Sequence, residues 1–316
     1  MDNPRLTIGL ICGPHRDRGS WALGSLLRQT AINDLRIIVA DCASPDSAEI
    51  EGCDHPVVQV IKRPSSYNLG AIRAEIVDMA KTPLVGFLEE HAIAFPKFAA
   101  GLIATHEQDW AAVAPEVRPF PQEPLKSRIL NRWYDAWIAP VARQATDHLM
   151  GHNVCYKKEV LHQYSHELST WLGCEYLFHQ RLYADGFRLT MDPTAGIHHA
   201  LERDTSALAR GVMNYERLHA SARTDTSSKR WRTLIATALG PLIKPARILV
   251  QTVRDRPGET WPALAGIPHL TLIASGSSLG RLRGWLFGAG NAATELGQIE
   301  ISVPRLWQPT HPREVE

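Results

Sequence analysis

The sequence predicts an α/β fold: an open, mostly parallel sheet with flanking helices, followed by a C-terminal helical extension. Three observations carry this. Apolar runs of strand length alternate with segments of helical periodicity over the first 120 residues. The 316 residues suffice for roughly two domains. The composition, 44% hydrophobic and 21% charged, supplies a sizeable core and excludes a largely disordered chain.

Each element follows from its local pattern. Leu6 to Cys12 is a continuous apolar run, the length of a buried strand. After a polar turn, Ala22, Leu23, Leu26 and Leu27 share one helical face. Leu35–Ala40 and Val57–Ile61 read as further strands, and apolar positions 69, 72, 76, 77 and 80 mark a helix from Asn68 to Lys81. Leu84–Leu88 is a fourth strand, a helix follows Pro96, and Trp110–Val117 is another strand. Strands and helices alternating at this spacing build a parallel sheet. Ile129, Leu130, Trp133, Tyr134, Trp137 and Ile138 fall on one helical stripe, which at this spacing is more often core than a stacking platform. Gly173–Asp185 reads as a helix and Phe187–Met191 as a strand.

The character changes near residue 205. Residues 229–256 carry seven basic residues and one acid among apolar ones. A second apolar stretch, 263–290, is interrupted by Gly266, Pro268 and later glycines. Neither is an unbroken apolar run of about 20 residues, so neither reads as a membrane span. Two readings stand: basic amphipathic helices on a membrane surface, or a soluble helical domain. The expected organisation is a catalytic domain over 1–205, a helical extension over 206–300 and a tail over 301–316.

Composition narrows the function classes. A formal net charge of +1 gives no electrostatic case for a nucleic-acid partner. Five scattered cysteines without a CxxC pair argue against a disulfide framework or a thiolate zinc site and fit a reducing compartment. The short apolar run at the N-terminus lacks a cleavage site, so a cytoplasmic location is expected. The loop after the first strand is neither GxGxxG nor a Walker P-loop, which disfavours a nicotinamide dehydrogenase and an ordinary ATPase.

In a parallel sheet, ligands gather beyond the carboxyl ends of the strands. The residues there are Gly13-Pro14-His15-Arg16, Asp41-Cys42-Ala43-Ser44-Pro45-Asp46 and Glu89-Glu90-His91. Glu89 and His91 are two apart, so both point one way while Glu90 points the other. A carboxylate beside an imidazole can hold a divalent ion, although a solvated acidic loop is the blander reading.

These stretches, in order, resemble a family 2 glycosyltransferase of the GT-A fold. TIGLICGPHR with SLLRQT resembles the family's opening strand and helix, and LRIIVADCASPD its second strand motif. NLGAIRAEIVDMAKTPLVGFLEEHAIAFP, GHNVCYKKEVL and GCEYLFHQRLYADGFRLTMDPTAGIHH resemble three later family motifs, so that the likeness runs from about residue 5 to 199. The resemblance implies that Asp41, with Pro14 and His15 beside it, contacts the nucleotide base. It implies that Glu89 and His91 occupy the outer positions of the DxD motif, with Glu90 between them, contacting ribose and metal. It further implies Glu175 as catalytic base, His199 as a metal ligand, and Gly151 and Asn153 as part of the acceptor pocket. The departures are His91 for an aspartate, Cys42 and Cys174 for acids, Glu75 and Ile76 for "RN", and Leu177 for a second Asp.

The expected chemistry is inverting transfer of a hexosyl group from a nucleotide-diphospho-sugar to an acceptor hydroxyl. A divalent cation, Mn or Mg, would offset charge on the leaving diphosphate, and a carboxylate would take the hydroxyl proton. Apolar Trp171, Leu172 and Phe178 flank Glu175 in sequence and suggest raised basicity. His198 competes with His199 as ligand. The acceptor would be a glycan, a lipid-linked glycan or a small molecule, and a basic C-terminal third points to the inner face of a membrane. A GT-A-like protein that binds nucleotide or glycan without catalysis is the alternative. A nucleotidyltransferase ranks last, because only His15, Arg16 and Arg18 are available to grip a triphosphate.

Overall fold

The computed structural model describes residues 3–64, 68–118, 120, 124–135, 145, 146, 149, 153–200, 204–222, 230–255 and 257–304. The chain forms two compact units, one holding Met1–Phe120 and Pro140–Ala200, the other Pro121–Ala139 and Leu201–Gln308.

The first unit runs β1 (Leu6–Cys12), α1 (Arg16–Leu27), β2 (Leu35–Asp41), β3 (Val58–Lys62), α2 (Leu69–Met79), β4 (Leu84–Glu89), β5 (Ala92–Ala94), α3 (Phe98–His106) and β6 (Ala112–Arg118). After α4 (Leu125–Asp135), which belongs to the second unit, come β7 (Cys155–Lys157), α5 (Lys158–His162), α6 (Leu168–Trp171), α7 (Glu175–Ala184) and β8 (Leu189–His199). The eight strands form one sheet in the order β3-β2-β1-β4-β7-β6-β8-β5. β1, β2, β3 and β4 are mutually parallel, as is the β6–β8 pair. β7 runs antiparallel to β4 and β6, and β5 antiparallel to β8. The sheet is therefore mixed, its parallel half lying where the apolar runs are continuous.

Two short strands escaped the sequence because three residues carry no period. β8 is also longer than the expected Phe187–Met191. It continues to His199 past a register shift opposite Pro115/Glu116, and Asp192, Pro193 and Thr194 mask the strand there.

Alternation along the strands sorts the faces. Leu6, Ile8, Leu10, Leu35, Ile37 and Val39 pack with Leu23 and Leu26 of α1 and Phe98 and Leu102 of α3 in the main core. The other face carries α2. Gly9 stands there because a Cβ would press on Ile76 and Phe87 at 3.0 Å, so the missing side chain lets α2 approach the sheet.

In the second unit, α4 joins α8 (Thr205–Ala222), α9 (Arg230–Ala238), α10 (Gly240–Asp255), α11 (Thr260–Ala265), α12 (Ile267–Phe287) and α13 (Ala292–Ser302). Trp133, Leu130, Leu208, Val212, Ile248, Leu270 and Ile273 form its core. Trp133 is thus a core residue, and Tyr134, Trp137 and Ile138 lie outside what is described at side-chain level. Trp133 also carries Lys244 over its ring, 4.9 Å from the centroid. Beside it, Arg281 and Ser277 donate hydrogen bonds to buried Glu216. Burial pushes the Lys244 ammonium down to about 8.

Of the expected breaks in 263–290, the one at Gly266 occurs, where α11 gives way to α12. Pro268 and the glycines from 276 to 284 do not interrupt α12, one 21-residue helix with Pro268 in its first turn, where a missing N–H costs nothing. Gly276, Gly280 and Gly284 recur every four residues and face Ala209, Met213 and Arg217 of α8, which recur every four as well. Side chains at these glycines would run into the carbonyl oxygens of α8. They are a packing stripe, not helix breakers. No described helix is long and apolar enough to cross a membrane.

The α8–α12 contact gives a testable outcome. Gly280→Ala should gain about 1 kcal/mol of helix propensity. It should still destabilise by about 1–3 kcal/mol, because the new methyl collides with the rigid Met213 backbone. A lowered urea midpoint checks it.

Candidate functional site

β1, β2 and β4 end in register: Cys12 pairs with Asp41 and Ile11 with Glu89. Two strand spacings separate Asp41 from Glu89, about 10 Å across the carboxyl edge. Three polar clusters occupy and flank this edge.

The first centres on Glu89. Its Oε2 lies 2.5 Å from His199 Nε2 and 3.6 Å from His91 Nε2. The two imidazoles meet edge-on with centroids 4.6 Å apart. β5–β8 pairing sets Ala92 opposite His199 and so brings His91 beside it. Asn153 completes the cluster from both ends of Glu89. Its Oδ1 accepts the Glu89 backbone N–H at 2.8 Å, and its Nδ2 donates to Oε2 at 3.1 Å. Asn153 holds a left-handed backbone, φ 56°, which asparagine tolerates better than most residues. Gly151 lies outside the described residues.

Glu89, His91 and His199 each offer a ligand atom, all within 4.8 Å of one another, the one such grouping among the described residues. His199 Nδ1 is buried with no hydrogen-bond partner among them. One carboxylate oxygen and two imidazole nitrogens fit a divalent ion of the Mn type better than Mg, which prefers oxygen alone. His198 points to the opposite face of β8, tilted against Phe95 at 4.8 Å and stacked on Phe120 at 5.3 Å, away from Glu89.

Glu90 turns the other way, as alternation requires. Its Oε1 sits 2.6 Å from Arg18 Nη2, both side chains almost fully buried, and its Oε2 accepts the Gly13 N–H at 2.8 Å. Glu90 therefore fixes the loop after β1. That loop carries Pro14, which is exposed, and His15, half-buried at the N-cap of α1.

The second cluster centres on Asp41. Arg16 grips both carboxylate oxygens at 2.7 and 2.9 Å, Lys62 donates at 2.6 Å, and the Ala43 N–H donates at 3.1 Å. Burial pushes this carboxyl up, but Arg16 and Lys62 outweigh it and hold it down to about 2. Asp41 thus organises two cations at the strand edge, beside Pro14 and His15.

The third cluster lies on the α2 face and contains Glu175. Its Oε2 pairs with Arg73 Nη1 at 3.0 Å, and its Oε1 accepts from the Tyr156 hydroxyl at 3.1 Å. Tyr156 also meets His179 Nε2 at 2.8 Å, and Arg73 donates to the Leu172 carbonyl at 2.9 Å. The Glu175 side chain has no exposed surface. The apolar neighbours expected from the sequence are outranked here by a guanidinium, which meets the carboxylate's charge inside the protein. Arg73 also lies over the Phe87 ring, 5.7 Å from its centroid, two residues from Glu89 on the same face of β4. Lys62, Arg73, Tyr156 and His179 were not singled out by sequence reasoning, and Arg16 entered it only as a basic residue of the loop after β1. Partners from distant elements leave no local signal, though Lys62 could have been found as the residue ending β3 beside Asp41.

The Asp41 cluster carries a pH signature. A carboxyl lowered from its model-peptide range near 4 to about 2 contributes about 2 kcal/mol above pH 4, lost as the pH falls toward 2. Asp41→Asn should lower stability by about that amount at neutral pH and flatten the dependence between those values, read by chemical denaturation across pH.

Residues 22–167 match the family described as Glycosyl transferase family 2. No curated protein matches the sequence. Among solved structures, the mannosyltransferase PcManGT from Pyrobaculum calidifontis, in complex with GDP-Man and Mn2+, superposes with a TM-score of 0.54 at 13% identity, over 90% of this chain and 88% of that one. S. aureus TarS, residues 1–349, superposes with a TM-score of 0.50 at 13% identity, over 89% and 90%. Together with the mixed eight-stranded sheet, these matches show that residues 22–167 carry a family 2 glycosyl transferase domain and that the chain has the GT-A type fold of the glycosyltransferases it superposes on.

Proposed function

We propose that the protein transfers a hexosyl group from a nucleotide-diphospho-sugar to an acceptor hydroxyl by single displacement, with inversion at the anomeric carbon. The observation that carries this reading is the convergence of Glu89, His91 and His199 at the carboxyl edge of the sheet, where this fold class binds its ligands. In this reading Asp41, Pro14 and His15 border the nucleotide base, and Arg16 and Lys62 add positive charge that suits a nucleoside diphosphate. Glu89, His91 and His199 would hold the divalent ion. Bound there, the ion would supply charge stabilisation to the departing diphosphate. That PcManGT was captured with GDP-Man and Mn2+ supports the same donor class and ion type for this chain.

In the chemical step the acceptor oxygen forms a bond to the anomeric carbon while the bond to the phosphate oxygen breaks, its electron pair leaving with the diphosphate. The hydroxyl proton passes to the Glu175 carboxylate. Support for Glu175 is its place in the stretch GCEYLFHQRLYADGF, where the family resemblance puts the base; its buried carboxylate is held by Arg73 and Tyr156. Arg73 and Tyr156 fix its orientation, and Asn153 fixes Glu89. The acceptor is a glycan, a lipid-linked glycan or a small molecule, reached beside Gly151 and Asn153. The reading also includes contact of residues 206–300 with a membrane surface, as their basic and apolar sequence suggests.

Two experiments test the reading. A thermal-shift panel of nucleoside diphosphates should show stabilisation by one of them that requires Mn2+ and vanishes in Glu89→Gln; metal-independent shifts throughout would refute the site. Glu175→Gln should keep that donor-dependent shift while transfer falls by about 10²–10⁴, the usual contribution of a general base. Turnover close to that of the unmodified protein would remove Glu175 from the chemistry.

A further inference from the structure

The apolar surface of the protein is unevenly distributed. Thirteen of the sixteen exposed large apolar side chains among the described residues lie between 234 and 287. Scattered single apolar residues need no explanation, but a concentration of this kind does.

α10 concentrates it most. On a soluble helix the apolar stripe faces the core. On α10 the arrangement is reversed. The inward side buries Pro245, Ile248 and Thr252, whereas Leu242, Ile243, Val250 and Val253 face out. At 3.6 residues per turn those four fall within an arc of about 100°. Leu242 and Val250 remain 71% and 68% exposed. Arg247 and Arg254 line one edge of this arc on the same geometry. Leu234 and Ile235 of α9 and Trp261 of α11 are exposed as well, Trp261 to 80%.

On the helical geometry the charge at the edge of the arc is basic, Arg247 and Arg254, while Asp255, the last residue of α10, falls on the far side. Residues 230–254 contain five arginines and lysines and no acid. Lys244 is taken up by Glu216 and Trp133 in the interior, and Arg254 pairs with neighbouring Asp255. Arg247 is exposed beside the apolar arc. A face that joins an exposed aliphatic arc to an arginine edge is complementary to an anionic lipid surface. There the apolar arc enters the acyl boundary while arginine stems extend to the phosphates.

We propose that the outward face of α10, centred on Leu242, Ile243, Val250 and Val253 with Arg247 at its edge, docks the protein on an anionic phospholipid surface, with α10 lying in the interface plane. This sharpens the membrane contact of the preceding reading, on which it rests, and is independent of the transfer chemistry.

The test is co-sedimentation of the full chain with vesicles of phosphatidylcholine alone or of an equimolar phosphatidylcholine–phosphatidylglycerol mixture. Binding is expected to the mixed vesicles and to weaken as salt is raised. Leu242→Ser with Val250→Ser should cut it on the order of a hundredfold, since two large exposed side chains no longer leave water. Arg247→Gln should cut it about fivefold, the usual worth of one arginine at an anionic surface. These positions are exposed, so unchanged circular dichroism and melting are expected in both variants. Three results overturn the proposal. If no vesicle binds, membrane contact fails altogether. If the double variant binds undiminished, the membrane contact survives but this face is not its seat. If the unmodified chain is a dimer in solution that the double variant dissociates, the face belongs to a second copy of the chain.

Discussion

A single carboxylate, that of Glu89, holds the candidate site together. It closes the last turn of β4 onto three other segments: His91 in the following turn, His199 at the end of β8, and Asn153 ahead of β7. These segments are up to 110 residues apart in sequence. Without an anion at this position two buried imidazoles would lose the carboxylate they both approach, and Asn153 would keep only its contact with the Glu89 backbone N–H. A charged group so placed is costly unless satisfied, and here Asn153 and His199 hydrogen-bond to it while His91 stands 3.6 Å away.

Around that point the sheet distributes its charges by parity. Glu89 and Glu90 are adjacent yet serve opposite faces. The first builds the ligand cluster, and the second is locked by Arg18 and the Gly13 N–H beneath the loop after β1. A buried pair of that kind costs about 3–5 kcal/mol when one member is removed, so Glu90 acts by holding the loop that carries Pro14, His15 and Arg16. Asp41 then fixes Arg16 and Lys62. The edge is assembled from the inside outward, with buried acids fixing cations.

Much of this was legible in the sequence. The apolar runs located β1, β2, β4 and α2 to within a residue or two, because buried parallel strands write a continuous hydrophobic signal. The two-residue spacing of Glu89 and His91 correctly set their shared side and sent Glu90 to the other. The same alternation separates His199 from His198. The glycines of α12 were misleading, since a small-residue stripe and a broken helix look alike until the partner helix is known. Least legible were the pairings of Glu175 with Arg73 and Tyr156: no period or motif links α2, β7 and α7, and only the folded chain brings them together.

The most direct measurement of the central claim is a crystal soaked with Mn2+ and a nucleoside diphosphate, with the metal located by its anomalous scattering. The account predicts one ion at bonding distance from the Glu89 carboxylate and the ring nitrogens of His91 and His199, with the diphosphate completing its coordination. An ion bound elsewhere, or a diphosphate bound with these three side chains untouched, would contradict it.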